Sequence, residues 1–577
     1  GGVQMNRREI LQLLSALAVL GPRGWARALE DPRSLYDLPP YGDATLLYFS
    51  DLHGQAFPHY FMEPPNLIAP KPLMGRPGYL TGEAILRYYG VERGTPLAYL
   101  LSYVDFVELA RTFGPIGGMG ALTALIRDQK ARVEAEGGKA LVLDGGDTWT
   151  NSGLSLLTRG EAVVRWQNLV GVDHMVSHWE WTLGRERVEE LLGLFRGEFL
   201  SYNIVDDLFG DPLFPAYRIH RVGPYALAVV GASYPYVKVS HPESFTEGLS
   251  FALDERRLQE AVDKARAEGA NAVVLLSHNG MQLDAALAER IRGIDLILSG
   301  HTHDLTPRPW RVGKTWIVAG SAAGKALMRV DLKLWKGGIA NLRVRVLPVL
   351  AEHLPKAEDV EAFLKAQLAP HQDHLFTPLA VSETLLYKRD TLYSTWDQLV
   401  GEAVKAIYPE VEVVFSPAVR WGTTILPGQA ITWDHLYAYT GFTYPELYLF
   451  YLRGAQIKAV LEDIASNVFT SDPFYQQGGD VSRVFGLRYV LDPDAPTGER
   501  VREVEVGGRP LDPNRRYLAA AYGGRLQRVG EAKPGYEPRP IYEVLAEYLR
   551  SVGRVRVRPE PNVKVIGRNY RLPEVTG

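Results

Sequence analysis

The sequence predicts an α/β protein with two domains. Short, wholly apolar strands alternate with helices from Ala44 to about Leu350, the pattern of a sheet buried on both faces. A second series of strands with an amphipathic helix follows from about Pro378 to Val565. The length of 577 residues also exceeds what one hydrophobic core usually organises.

In order, Thr45–Phe49, Ala140–Leu143, Ala226–Val230, Ala272–Leu276 and Asp295–Leu298 read as strands, with helices over Gly120–Glu136 and Asp254–Glu268. Phe57 to Pro115 reads as a loop-rich insertion full of Pro, Gly and aromatics, among them Tyr60, Phe61, Tyr79, Tyr88 and Tyr89. Glu358–Leu368 reads as an isolated polar helix and His371–Thr377 as a linker. Beyond it, Val411–Phe415, Leu447–Leu452, Val484–Leu491 and Arg502–Val506 read as strands. Gly454–Ile464 reads as a helix with Ile457, Val460, Leu461 and Ile464 on one face. The expected boundaries are 1–28, 40–352, a helical linker 353–377, and 378–570.

The first of these segments has the form of an export signal. Arg7-Arg8-Glu9-Ile10-Leu11 opens an apolar run to Leu20, and Ala26-Arg27-Ala28 offers a cleavage site. The run is too short for a spanning helix of ~20 residues. The paired arginines resemble a twin-arginine signal, so a periplasmic protein is expected.

Composition narrows the chemistry. Lys plus Arg is 63 and Asp plus Glu is 67, a net charge of −4, which argues against a nucleic-acid coat or a polybasic membrane binder. The absence of cysteine excludes disulfides, thiolate zinc sites, iron–sulfur clusters and cysteine nucleophiles. Any metal must therefore be held by His, Asp, Glu, Asn or backbone oxygen.

Four strand ends supply such groups: Ser50-Asp51-Leu52-His53-Gly54, Asp144-Gly145-Gly146-Asp147-Thr148, Ser277-His278-Asn279-Gly280 and Ser299-Gly300-His301-Thr302-His303. Ligand sites of open α/β sheets lie outside the carboxyl ends of strands, where residues distant in sequence meet. The carboxylates of Asp51 and Asp147 with four imidazoles exceed one metal's need and suggest a dinuclear site bridged by a carboxylate. Of the 13 histidines, His59, His174, His220, His241, His353, His371, His374 and His435 lack such a setting and read as structural.

These four motifs, in this order, resemble those of the calcineurin-like metallophosphoesterases. Leu452-Arg453-Gly454-Ala455-Gln456 and Gly507-Gly508-Arg509-Pro510-Leu511-Asp512-Pro513 resemble the 5′-nucleotidase C-terminal domain. The resemblance implies a four-layer α/β/β/α metallophosphoesterase sandwich followed by an α/β 5′-nucleotidase-like domain. It implies one metal on Asp51, His53, Asp147 and His303 and another on Asp147, His178, His278 and His301, with Asp147 bridging.

The family's third motif, Gly-Asn-His-Glu/Asp, is replaced here by Ser177-His178-Trp179-Glu180. Aligned on Glu180 and Gly184, His178 takes the place of the Asn ligand and Trp179 that of the general acid. An indole N–H donates a hydrogen bond but no catalytic proton. Alternatively, His178 is itself the acid, displaced by one position. A thiolate, from a thiol of pKa ~8.5, leaves without that proton where an alkoxide does not. The sequence therefore points to a bond to sulfur. Gly146-Asp147-Thr148-Trp149-Thr150-Asn151-Ser152-Gly153 and His178-Trp179-Glu180-Trp181 resemble the SoxB family, the thiosulfohydrolases of the Sox sulfur-oxidation system. That resemblance implies two Mn2+, with zinc or iron as alternatives, and a metal-activated hydroxide. It also implies a partner, the SoxYZ carrier protein bearing an S-sulfonated (S-thiosulfonated) cysteine, from which sulfate is released. Asp147, His178, Trp179 and Arg420 are the catalytic candidates, and Arg420 and Arg483 the substrate-binding ones. Trp149, Tyr234 and Trp421 are candidates for lining a channel. The competing readings are a periplasmic 5′-nucleotidase or cyclic phosphodiesterase and, from another class, an inactive carrier-binding module.

Overall fold

The computed structural model describes residues 32–441, 443–476 and 480–576. The expected signal, 1–28, lies outside these. The described residues form two compact units. No described helix is long and apolar enough to cross a membrane.

The first unit comprises residues 32–59, 82–150 and 157–367. It holds two six-stranded sheets. One runs in the order Gly338–Pro348, Ala326–Trp335, Ala44–Phe49, Lys139–Asp144, His174–Met175, Glu198–Phe199. The other runs Trp310–Val312, Thr315–Ala319, Leu296–Ser299, Ala272–Ser277, Tyr225–Ala232, Tyr217–Val222. Central strands in both are buried at every position, Ala44–Phe49 and Ala272–Ser277 among them, as expected for strands covered on both faces. The sheets meet closely where Tyr48 lies against Gly320, at which an added Cβ would stand 2.7 Å from the ring. Parallel pairing brings Phe49 level with Asp144 and Ser277 level with Ser299, so the motif-bearing ends emerge together.

Two expectations need correcting. The Glu358–Leu368 helix is no free linker, since nearly all of it belongs to the first unit. Val360 and Leu364, one turn apart, are buried, and Asp359 makes a two-toothed ion pair with Arg127 at 2.7 and 2.8 Å. The insertion after Phe57 is also not a single loop. Residues 60–81 join the second unit, where Met62 N–H donates to Thr424 and the Asn66 side chain donates to Asp390 and to the Arg571 carbonyl. The remainder forms helices Gly82–Tyr89, Pro96–Leu101 and Phe106–Phe113 in the first unit.

The second unit comprises residues 60–81, 151–156 and 368–576. One sheet orders Arg483–Phe485, Val413–Ser416, Arg516–Ala521, Glu446–Arg453 and Glu531–Ala532. Another orders Arg509–Pro510, Val501–Val506, Leu487–Leu491 and Val563–Val565. The expected strand over Val484–Leu491 is split at Gly486, whose φ of +83° breaks the extended backbone. The Gly454–Phe469 helix runs beyond its expected end, burying Ile457, Leu461, Ala465 and Val468 in the core.

Candidate metal centre

The strand-end motifs converge in the first unit. Asp147, His178, His278 and His301 form one group, and Asp51, His53 and His303 another. Within each, one ligand atom per residue lies within 4.8 Å of the others. Six of these seven residues are buried and His301 is partly buried. The expected metal residues are thus brought together in two adjacent groups.

Backbone geometry explains how. Asp51, His53, Asp147, His301 and His303 all have positive φ, between +49° and +79°. This left-handed conformation costs non-glycine residues on the order of 1–3 kcal/mol and persists only where surroundings enforce it. Here the enforcement is a lattice of loop hydrogen bonds. Asp51 N–H donates to Gly146 O at 2.9 Å, His53 N–H to Asp147 O at 2.8 Å, and Ala323 N–H to Asp51 O at 2.8 Å. Gly145 and Gly300 permit the approach, for a Cβ at either would stand 2.4 Å from Ser50 Oγ.

Carboxylates beneath the loops hold them in turn. Glu180 accepts the backbone N–H groups of Asp147, Thr148, Trp149 and His178 at 2.6–3.3 Å. Asp144 accepts from Gly146 N–H, Thr148 Oγ1 and Gln167 Nε2. Asp284 accepts from Ser277 Oγ, Ser299 Oγ and Asn279 Nδ2, tying the strand end that carries His278 to the one that carries His301. Burial raises the pKa of Asp144 to about 7 and that of Asp284 to about 6.

The polar atoms fit divalent cations. Asp51 Oδ2 accepts from Ser50 Oγ and His301 N–H. Its Oδ1 is buried and accepts no hydrogen bond, yet lies 3.3, 3.6 and 3.8 Å from Nε2 of His303, His278 and His53. Nε2 of His53 and His303 approach to 3.1 Å. His278 donates from Nδ1 to Gly145 O, which leaves Nε2 facing Asp147 Oδ2 at 2.9 Å. Burial works against charge on Asp147, but His178 and His278 outweigh it and hold the carboxyl well below its usual range. Convergent carboxylate and imidazole groups with outward partners of this kind suit manganese, zinc or iron.

Trp179 begins the turn at Trp179–Leu183, and its backbone N–H donates to Asp147 Oδ1 at 2.8 Å. Its ring lies against His241, with centroids 4.8 Å apart and planes at 27°. Tyr234 packs on His178 and His301 at 3.9 and 4.4 Å. Trp149 is fully buried and donates from Nε1 to Gln167, so it belongs to the core rather than to a channel. Trp421, in the second unit, is likewise buried.

The two arginines differ. Arg483 spends all five N–H donors internally: on Asp397 Oδ2 and on the carbonyls of Thr391, Val481, Lys388 and Asp390. Its substrate-binding assignment is corrected to a structural one, because no donor is left for a ligand. Arg420 lies in the loop after Val413–Ser416, and its buried Nε has no hydrogen-bond partner among the described residues. Sequence reasoning missed Arg389, which is 2% exposed with Nε and Nη1 in the same condition. Buried guanidinium nitrogens without a hydrogen-bond partner are a signal only the fold can give.

Comparison with known proteins follows the two units. Residues 389–529 match the 5′-nucleotidase C-terminal domain. Protein UshA of Yersinia enterocolitica is 24% identical over 499 residues, 75% of this chain and 86% of that protein. A probable 5′-nucleotidase of Treponema pallidum is 31% identical over 33% of this chain and 32% of its own length. The 5′-nucleotidase precursor structure from Thermus thermophilus has a TM-score of 0.72 at 22% identity, covering 91% of this chain and 100% of that one. The putative 5′-nucleotidase structure from Staphylococcus aureus has a TM-score of 0.59 at 16% identity, covering 90% and 99%. The chain thus has homologues in the 5′-nucleotidase and metallophosphoesterase superfamily, and shares the fold of solved 5′-nucleotidases.

Proposed function

We propose that the chain is a two-metal hydrolase that releases sulfate from a cysteine S-sulfonate or S-thiosulfonate on a carrier protein of the SoxYZ type, in the periplasm. The observation that supports this reading is Trp179. It takes the acid position of the resembling phosphoesterases, and its backbone N–H donates to Asp147 Oδ1.

Asp51, His53 and His303 would hold one cation, and Asp147, His178, His278 and His301 the other, with Asp147 shared. Two divalent cations, manganese by resemblance, would supply Lewis acidity and a nucleophile at neutral pH. In the reaction, hydroxide adds its oxygen to the sulfonate sulfur and the S–S bond breaks. The bonding pair goes to the carrier as thiolate or persulfide, and hydrogen sulfate is released. The leaving sulfur needs no proton, which is consistent with an indole at position 179.

The test compares sulfate release from S-sulfonated carrier with phosphate release from AMP, on manganese-loaded protein. A larger kcat/KM for the carrier conjugate is expected, and a larger value for AMP overturns the reading. The second reading, a 5′-nucleotidase or cyclic phosphodiesterase, draws on the match over residues 389–529. Trp179→His separates the two further. In a sulfur-directed enzyme it should raise the ratio of alkyl to aryl phosphate hydrolysis towards about 10²-fold, the low end of general-acid effects.

A further inference from the structure

His241 carries no motif in the sequence, yet it is fully buried beside the candidate metal centre. It follows the short Val237–Ser240 helix. Its ring lies nearly parallel to those of Trp179 and His178, at 27° and 25°, with centroids 4.8 and 5.4 Å away.

Both nitrogens of His241 are engaged. Nε2 is 3.0 Å from the His178 carbonyl oxygen, and Nδ1 is 2.7 Å from Ser240 Oγ. A carbonyl only accepts, so Nε2 bears the proton, and in a neutral imidazole Nδ1 is then an acceptor. The Ser240 hydroxyl supplies the matching proton. Its other acceptors, the carbonyls of Tyr236 and Val237, are more distant at 3.3 and 3.4 Å. With its proton directed at His241, Ser240 Oγ can only accept from its remaining neighbour, Nε2 of His178, at the outer limit of 3.5 Å. When Nδ1 serves as a ligand, His178 carries its proton on Nε2, towards Ser240 Oγ. Nδ1 faces Asp147 Oδ2 at 3.3 Å. The ring of contacts closes on one residue: His178 Nε2–H to Ser240, Ser240 to His241, and His241 back to the His178 carbonyl.

We propose that Ser240 and His241 are a positioning pair that fixes the tautomer and ring plane of His178, presenting Nδ1 to a divalent cation held with Asp147, His278 and His301. The inference rests on the metal-binding reading above. Outer partners of histidine ligands contribute about 10- to 100-fold in metal affinity. Ser240→Ala removes the acceptor for His178. His241→Phe keeps the stack on Trp179 and removes both hydrogen bonds. Ser240→Thr keeps the hydroxyl.

The experiment titrates manganese alone into EDTA-stripped full-length protein by calorimetry, with electron paramagnetic resonance of the loaded samples. Metal-free thermal unfolding of each variant serves as the control for folding. Wild type should take up two equivalents. Ser240→Ala and His241→Phe should each weaken one equivalent by about 10- to 100-fold and alter the dimanganese spectrum. Ser240→Thr should bind as wild type does, and the double variant should bind no more weakly than the worse single one. Two unweakened equivalents in Ser240→Ala and His241→Phe overturn the inference while leaving the metal reading intact. No uptake by wild type overturns both.

Discussion

Asp284→Asn tests whether the carboxylates beneath the loops serve the site at the expense of the fold. Asp284 is fully buried and bonded only to neutral donors: Ser277, Ser299 and Asn279. Burial lifts its pKa from 3.8 to about 6. At about 1.36 kcal/mol per pH unit, keeping it ionised at pH 7.5 costs about 3 kcal/mol. The sign follows from linkage: a carboxyl whose folded pKa is raised destabilises the fold above that value, and the cost fades as pH falls towards 3.8. Asn is close in shape and uncharged, and the serine hydroxyls can rotate to accept from its amide. Metal-free Asp284→Asn should therefore be more stable than wild type at pH 7.5, by up to about 3 kcal/mol, and by about 1 kcal/mol at pH 4.5. Manganese affinity should nonetheless fall, by about 10- to 100-fold, because the strand ends carrying His278 and His301 lose their ionised clamp. Urea unfolding of EDTA-treated protein at the two pH values, with a manganese titration, reads both effects. A variant less stable than wild type at pH 7.5, or a stability gap independent of pH, would refute the reasoning.

Arg483→Lys should destabilise the second unit by about 3–5 kcal/mol, since it disrupts a buried ion pair with Asp397 and abandons backbone carbonyls. A raised KM with unchanged thermal unfolding would instead make Arg483 a substrate contact. His59 is buried, donates from Nδ1 to Phe57 O, and has its pKa pushed down by burial to about 4. A histidine with a depressed folded pKa stabilises fully above its unfolded value of about 6.5 and loses that contribution as pH falls towards 4. Urea unfolding from pH 7.5 to 4.5 should thus show a steeper stability loss in wild type than in His59→Gln, and equal slopes would contradict this.

What the sequence made legible follows from how local each signal is. Strands buried on both faces announce themselves as apolar runs, and the groups at their ends are short motifs, so six of the seven clustered residues could be foreseen from four segments, and His178 only from the resemblance. The Glu358–Leu368 helix reads as a linker only when its charges are weighed over its spacing: Val360 and Leu364 already mark a buried face. Arg483 resembles a ligand contact because glycines precede it. Its partners Lys388, Asp390 and Thr391 lie more than 90 residues away, and no local pattern reveals them. His241 reaches His178 across 63 residues by a fold-dependent contact, and nothing in its own neighbourhood signals this.

The way Trp179 is used bears on how such a site can change its chemistry. Asp147 needs a donor on Oδ1, and it receives one from the Trp179 amide. An amide N–H is supplied by any residue but proline, so the hydrogen bond to the Asp147 carboxylate does not depend on the side chain at 179. The turn is independently secured, because Glu180 holds the amides of Asp147, Thr148 and His178. The geometry of the clustered ligand groups is thus carried by backbone and by buried carboxylates, while the Trp179 ring packs on His241. Replacing an acid by an indole would then narrow the enzyme to leaving groups that depart unprotonated while leaving its metal-binding groups intact. On the proposed reading, this separation lets a chain with the fold of 5′-nucleotidases carry an indole where the resembling phosphoesterases have their acid.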